Sequence, residues 1–155
     1  LATKMKLTDI IAEDCAKTAV LFNSKKRLFE FISDLAHQQA PDITSQEFLE
    51  ALLQREKLGS TGIGKGLAIP HGRIDGLQNT IGFLIVNQSP IPFDAIDDKD
   101  VDIFIVLLIP EQKCQQHLQT LATIADKLKD KQFCRQLRHA ENNHQLYQII
   151  SSEAS

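Results

Sequence analysis

The residues best suited to chemistry lie in one run: Arg55-Glu56-Lys57-Leu58-Gly59-Ser60-Thr61-Gly62-Ile63-Gly64-Lys65-Gly66-Leu67-Ala68-Ile69-Pro70-His71-Gly72-Arg73. Four of the seven glycines fall between Gly59 and Gly66, and Gly72 directly follows a histidine. Glycine lets backbone N–H groups approach an anion closely and turn through positive φ. Two hydroxyls (Ser60, Thr61), an imidazole (His71) and an arginine at either end (Arg55, Arg73) complete the set. These residue types point to phosphate. They would cradle a nucleotide, activate a base, or take a phosphoryl group onto the imidazole.

Gly59-x-x-x-x-Gly64-Lys65 matches the start of a nucleotide P-loop, but Gly66 stands where a magnesium-binding Ser or Thr belongs. The context is also reversed, because this loop leaves a helical pattern and enters a strand-like one. A plain connection between helix and sheet explains Gly59 as a helix stop. It does not explain the number of glycines, the adjacent hydroxyls or His71-Gly72-Arg73. The third reading is a phosphohistidine. Neutral imidazole, with an ordinary pKa of about 6.5, is a good nucleophile near neutral pH. It can attack phosphorus without a metal when N–H donors, hydroxyls and a guanidinium neutralise the transferring group.

The surrounding pattern places this run between helices and strands. Thr8-Asp9 before Ile10-Ile11 can start a short helix, and the rest of the stretch to Val20 is weakly patterned. Ser24 precedes a helix with Leu28, Phe29, Ile32, Leu35 and Ala36 on one face, ended by Ala40-Pro41. Its basic first turn, Lys25-Lys26-Arg27, opposes the helix dipole, a small cost at an exposed end. Thr44 and Glu47 form a capping-box pattern before Phe48, Leu49, Leu52 and Leu53, and that helix stops at Gly59. Leu67–Ile69 and Thr80–Val86 read as strands, with a loop from Ile74 to Asn79 between them. Val101–Ile109 is nearly continuous aliphatic sequence, as in a central strand covered on both faces. A third helix spans Cys114–Leu128, with Leu118, Leu121, Ala122, Ala125 and Leu128 on one face. Asp130 caps a fourth, and Asn142 or Asn143 a fifth. The expectation is an α/β or α+β fold: one domain over residues 1–155, a mixed sheet flanked by helices on both faces, with no fold inference drawn from residues 1–5.

Whole-chain properties narrow the function. A net charge of −3 gives no basic excess for nucleic-acid binding. Three cysteines at irregular spacing fit a reducing, cytoplasmic setting better than a disulfide framework. The longest apolar run, Ile103–Ile109, is too short for membrane insertion. Cys114-x-x-His117 lacks a second ligand pair, so no metal and no cofactor are expected. His117 itself falls in the first turn of the third helix, where free N–H groups favour an anion; alone it also reads as an exposed helix histidine.

Several segments together resemble the type-2 enzyme IIA domains of the bacterial phosphoenolpyruvate-dependent phosphotransferase system, the mannitol/fructose class. They are Arg55–Gly64, Ala68-Ile69-Pro70-His71-Gly72-Arg73, Pro92-Phe93-Asp94-Ala95-Ile96-Asp97, His117-Leu118-x-x-Leu121-Ala122 and Leu146–Ile150, in family order. Within the class, the chain is most similar to the nitrogen-regulatory members. The resemblance implies that His71 accepts a phosphoryl group on Nε2 from a histidine-containing phosphocarrier protein. It also implies that His117 bonds the phosphate or orients His71, and that Arg55 stabilises charge. Ser60, Thr61, Gly72 and Arg73 are the candidate phosphate-binding residues. Arg73 has a second reading as a solvated side chain, and either hydroxyl could instead cap local backbone. The implied output is a regulatory switch acting on target proteins. The alternative is a sugar-specific enzyme IIA that passes the group to a IIB domain.

Overall fold

The apolar run near position 105 becomes the centre of the sheet. In the computed structural model, which describes residues 6–152 apart from the side chains of 114–117, it forms strand β6 (Val101–Pro110). Every residue of that strand except Asp102 is buried, as expected when both faces are covered. Strand β5 (Ile81–Ile91) pairs antiparallel along one edge of β6. Along the other edge lie two short strands in succession, β3 (Leu67–Ala68) and β4 (His71–Ile74), both parallel to β6. Strand β2 (Gly62–Gly64) pairs antiparallel with β3, and β1 (Ile11–Val20) runs parallel to β5 at the opposite edge. The order is β1-β5-β6-β3-β2, with β4 also on β6.

Helices α1 (Lys25–Gln39) and α2 (Ser45–Lys57) pack together and against β5 and β4 respectively. Helices α3 (Cys114–Lys127), α4 (Lys131–His139) and α5 (Asn143–Ser151) follow the sheet, and α5 packs on β1. Ser24 Oγ caps α1 by accepting from Arg27 N, and the caps read from sequence form: Thr44 Oγ1 accepts from Glu47 N, Asp130 from Gln132 N and, of the two asparagines, Asn142 from Gln145 N. Of the Thr44–Glu47 pattern, the hydroxyl half is the half formed. The fold is α/β with a mixed six-stranded sheet, as the pattern implied. Among the described residues no helix is long and apolar enough to cross a membrane.

Three local expectations are corrected. The N-terminal stretch holds only a single 3-10 turn (Leu7–Asp9) and then strand β1. Register shifts between Ile11 and Ala16 and between Lys17 and Val20, with Ala19 at φ 56°, break the two-residue alternation that marks a strand. The loop expected from Ile74 begins one residue later, because β4 runs through Ile74. In α3 the buried side chains are Ile124 and Leu128, while Leu118 is 69% exposed and Ala122 is exposed. The stripe holds at Leu121, Ala125 and Leu128, which pack on the core together with Ile124, and fails at Leu118 and Ala122.

Candidate functional site

Pro70 interrupts the strand pairing along β6, and the backbone on either side of it is fixed. Ile69 N donates to Thr61 O at 3.0 Å, and Leu107 N donates to Pro70 O at 3.0 Å. His71 thus enters as the first residue of β4, opposite Leu107. Gly72, next in the strand, lies against α2: a Cβ there would be 3.2 Å from Ala51 Cβ and C, and 3.3 Å from Ala51 O. Glycine permits this approach of strand to helix. Arg55 stands one helical turn beyond Ala51 on the same face, which brings it over His71.

The contact is direct. Arg55 Nε donates to His71 Nε2 at 3.2 Å, while its Nη1 donates to Gly59 O at 2.8 Å. The other ring nitrogen, Nδ1, lies 2.9 Å from Ile69 O. A carbonyl only accepts, so Nδ1 carries the proton and Nε2 holds the lone pair. Burial holds His71 below its ordinary value of 6.5, and the positive charges of Arg55 and Arg73 act the same way. The Ile69 carbonyl and the Glu56 carboxylate pull against them. The ring is therefore neutral at pH 7, with its nucleophilic nitrogen turned to a guanidinium. His71, Arg55 and Arg73 line an open groove of about 940 Å³ between α2 and β4, together with Lys57, Leu58 and Gly72.

The other candidates divide. Arg73 is exposed on β4 and borders this groove, so it adds charge beside His71 from the solvent side. Gly72 is buried, and the structure shows it packing against α2. His117 belongs to the first turn of α3, but its side chain lies outside the described residues. Its helix starts close to this strand end, since Glu111 N donates to Ile74 O at the end of β4.

Ser60 and Thr61 both make bonds within the loop. Ser60 Oγ donates to Phe93 O at 2.7 Å and accepts from Gly62 N at 3.0 Å. Thr61 is 5% exposed; its hydroxyl donates to Glu56 Oε1 at 2.7 Å and its N–H to Glu56 Oε2 at 3.1 Å. Both hydroxyl protons are engaged in bracing the loop, the second of the two readings that the sequence leaves open for them. The glycines have a comparable task. Lys65 and Gly66, at φ 60° and 80°, form the two-residue turn between the paired Gly64 and Leu67, the type I′ geometry that favours glycine.

The sequence marks Lys25 only as part of a basic first turn and gives Glu56 no role of its own. Glu56 lies in the last turn of α2 and Lys25 begins α1, each with the wrong sign for its helix dipole. The structure joins them at 2.8 Å, with Lys25 22% exposed and Glu56 7% exposed. Lys25 Nζ also lies 4.2 Å from the Phe93 ring centre. Two charges set against their dipoles in consecutive helices were the signal available in the sequence.

Comparison with known proteins gives the family. The family described as "Phosphoenolpyruvate-dependent sugar phosphotransferase system, EIIA 2" matches residues 9–153. The nitrogen regulatory protein of Klebsiella oxytoca is 42% identical over 152 residues, covering 97% of this chain and 93% of that one. The crystal structure of nitrogen regulatory protein IIA-Ntr from Neisseria meningitidis superposes with a TM-score of 0.85 at 34% identity, over 93% of this chain and 98% of that one. Enzyme IIAMTL of Escherichia coli, solved in complex with phosphorylated enzyme IIBMTL, shares the fold at a TM-score of 0.73 and 17% identity, over 92% and 96% of the two chains. From the matched family and the nitrogen regulatory relatives, the chain belongs to the type-2 enzyme IIA family of the phosphoenolpyruvate-dependent phosphotransferase system.

Proposed function

We propose that this chain is a phosphohistidine protein, accepting a phosphoryl group on His71 from a histidine-containing phosphocarrier and serving as a nitrogen-related regulatory switch. The observation that carries the reading is the ring's orientation: Nδ1–H bonded to Ile69 O, Nε2 turned to Arg55. The Nε2 lone pair forms the new N–P bond as the donor's N–P bond breaks and its electrons return to the donor nitrogen. No proton leaves His71 in that step. The positive charge gained by the ring is stabilised at Nδ1–H by the Ile69 carbonyl.

Arg55 must first give up Nε2. Its Nη1 bond to Gly59 O keeps the guanidinium close, so the fork can turn to the oxygens of the arriving group. Arg73 contributes charge from the groove, and His117 is the further donor that α3 would bring. The regulatory output rests on 42% identity to a nitrogen regulatory protein. The likeness to enzyme IIAMTL is at the level of fold, so transfer to a IIB domain is the lesser reading.

Incubation with phosphoenolpyruvate, enzyme I and the phosphocarrier tests this. The wild type should take up one acid-labile, base-stable label and His71→Ala none. A fully labelled His71→Ala protein would overturn the assignment.

A further inference from the structure

Glu56 takes no part in the transfer described above, yet its side chain is only 7% exposed and its carboxylate accepts from three donors. Oε2 receives Lys25 Nζ at 2.8 Å and Thr61 N at 3.1 Å; Oε1 receives the Thr61 hydroxyl at 2.7 Å. A buried carboxylate is tolerated when it is paired and hydrogen-bonded in this way. The donors come from separate pieces of chain. Lys25 opens α1, and Thr61 closes the loop that leaves α2. Within that loop Gly59 O receives Arg55 Nη1, and Ser60 Oγ reaches Phe93 O in the turn beneath Lys25. Arg55 is the residue next to Glu56. Fixing Glu56 therefore fixes both ends of the segment that anchors Arg55.

We propose that Glu56 is the positioning residue of this site: by binding Lys25 and Thr61 together, it holds the end of α2 where Arg55 meets His71 Nε2. The proposal deepens the phosphohistidine reading and rests on it for its functional meaning. The two readouts that decide it need no phosphoryl donor, so a failed labelling of His71 and a failed positioning by Glu56 are separate results.

His71 is faced by Arg55, Glu56 and Lys57 from the end of α2, with Glu47 and Glu50 further along the groove, by Arg73 on its own strand and by Asp75 beyond it; Lys25 acts from α1 through Glu56. Loss of Glu56 has two effects of opposite sign. Removing the carboxylate's charge alone lowers the titration midpoint of His71, whereas releasing Arg55 raises it. NMR titration of His71, together with the Arg55 Nε–H resonance, separates them in wild type, Arg55→Met and Glu56→Gln. In Glu56→Gln we expect the Arg55 signal to lose its hydrogen-bonded shift and the His71 midpoint to move up, as in Arg55→Met. Phosphoryl acceptance should fall about 10- to 100-fold, the scale of a small misplacement in a site.

A downward midpoint with the Arg55 signal unchanged would reduce Glu56 to a background charge and overturn the proposal. Unchanged values of both would overturn it equally. Thr61→Val serves if Glu56→Gln does not fold, since it keeps the carboxylate, the Lys25 pair and the Thr61 amide. It should move both signals in the same directions by less; no movement there refutes the positioning role.

Discussion

A histidine is a nucleophile only while it is neutral, and the surroundings of His71 favour that form. Burial, then Arg55 and Arg73, hold its pKa below 6.5. The rate of phosphoryl acceptance, followed from about pH 8 to about pH 5, should stay level through the ordinary histidine range and fall only below it. Stability carries the same sign. The unfolded chain takes up the proton first as pH falls, so the contribution of neutral His71 is fully present above about 6.5 and is lost as pH drops through the depressed folded value. Urea denaturation of His71→Gln should lack that component, so the stability difference from wild type should change across this window. An acid limb centred at or above 6.5 would contradict the assigned environment. At this scale the sequence was informative about identity and less so about partners. His71 and Arg55 could be singled out from residue type and from the segments that carry the family resemblance. Ser60 and Thr61 could not be placed, because a hydroxyl that touches phosphate and one that braces a loop look alike until their acceptors, Phe93 O and Glu56, are seen.

The meeting of Arg55 and His71 is a product of two elements in close contact, α2 and β4. Their separation is set by Gly72 against Ala51, where an added methyl would lie 3.2 Å from helix backbone as well as from the Ala51 side chain. Backbone cannot rotate away as a side chain can, so Gly72→Ala should push strand and helix apart. Overpacking of this kind costs about 1–3 kcal/mol, to be read as a lower urea midpoint with the slope unchanged. The same variant should accept phosphate more slowly, because Arg55 moves with α2. A variant as stable and as active as wild type would show that the contact relaxes without consequence. The helices with side-chain caps and the central strand were legible because caps and apolar runs are local signals. Strand β4 was hidden by its brevity and by Pro70 before it. Strand β1 was hidden because its bulges and partial exposure remove the alternation that betrays an edge strand.

Across the whole molecule, the sheet is held by long-range ties that no local pattern announces, and the tie at Arg138 is the clearest. From α4, its Nε and Nη2 each donate at 2.9 Å to the two oxygens of Asp102 on β6, and Nη2 also donates to Lys65 O at 3.1 Å in the β2–β3 turn. The same turn is stitched to β6 by Asp102 N and Ile103 N, which both donate to Gly66 O. One guanidinium thus joins the helices that follow the sheet, the central strand and the glycine hairpin. Sequence separations of 36 and 73 residues put this beyond any reading of neighbours. Arg138 is 35% exposed and Asp102 18% exposed, which places the pair between a solvated surface bridge and a buried one. A fork-to-carboxylate pair of this geometry lies at the upper end of the exposed range, a coupling of about 1 kcal/mol. The double-mutant cycle Arg138→Met, Asp102→Asn measures it by denaturation. A coupling near zero would show the tie to be incidental. A positive one, accompanied by faster amide exchange at Gly64–Leu67 in Arg138→Met, would place the hairpin's order under the control of the C-terminal helices.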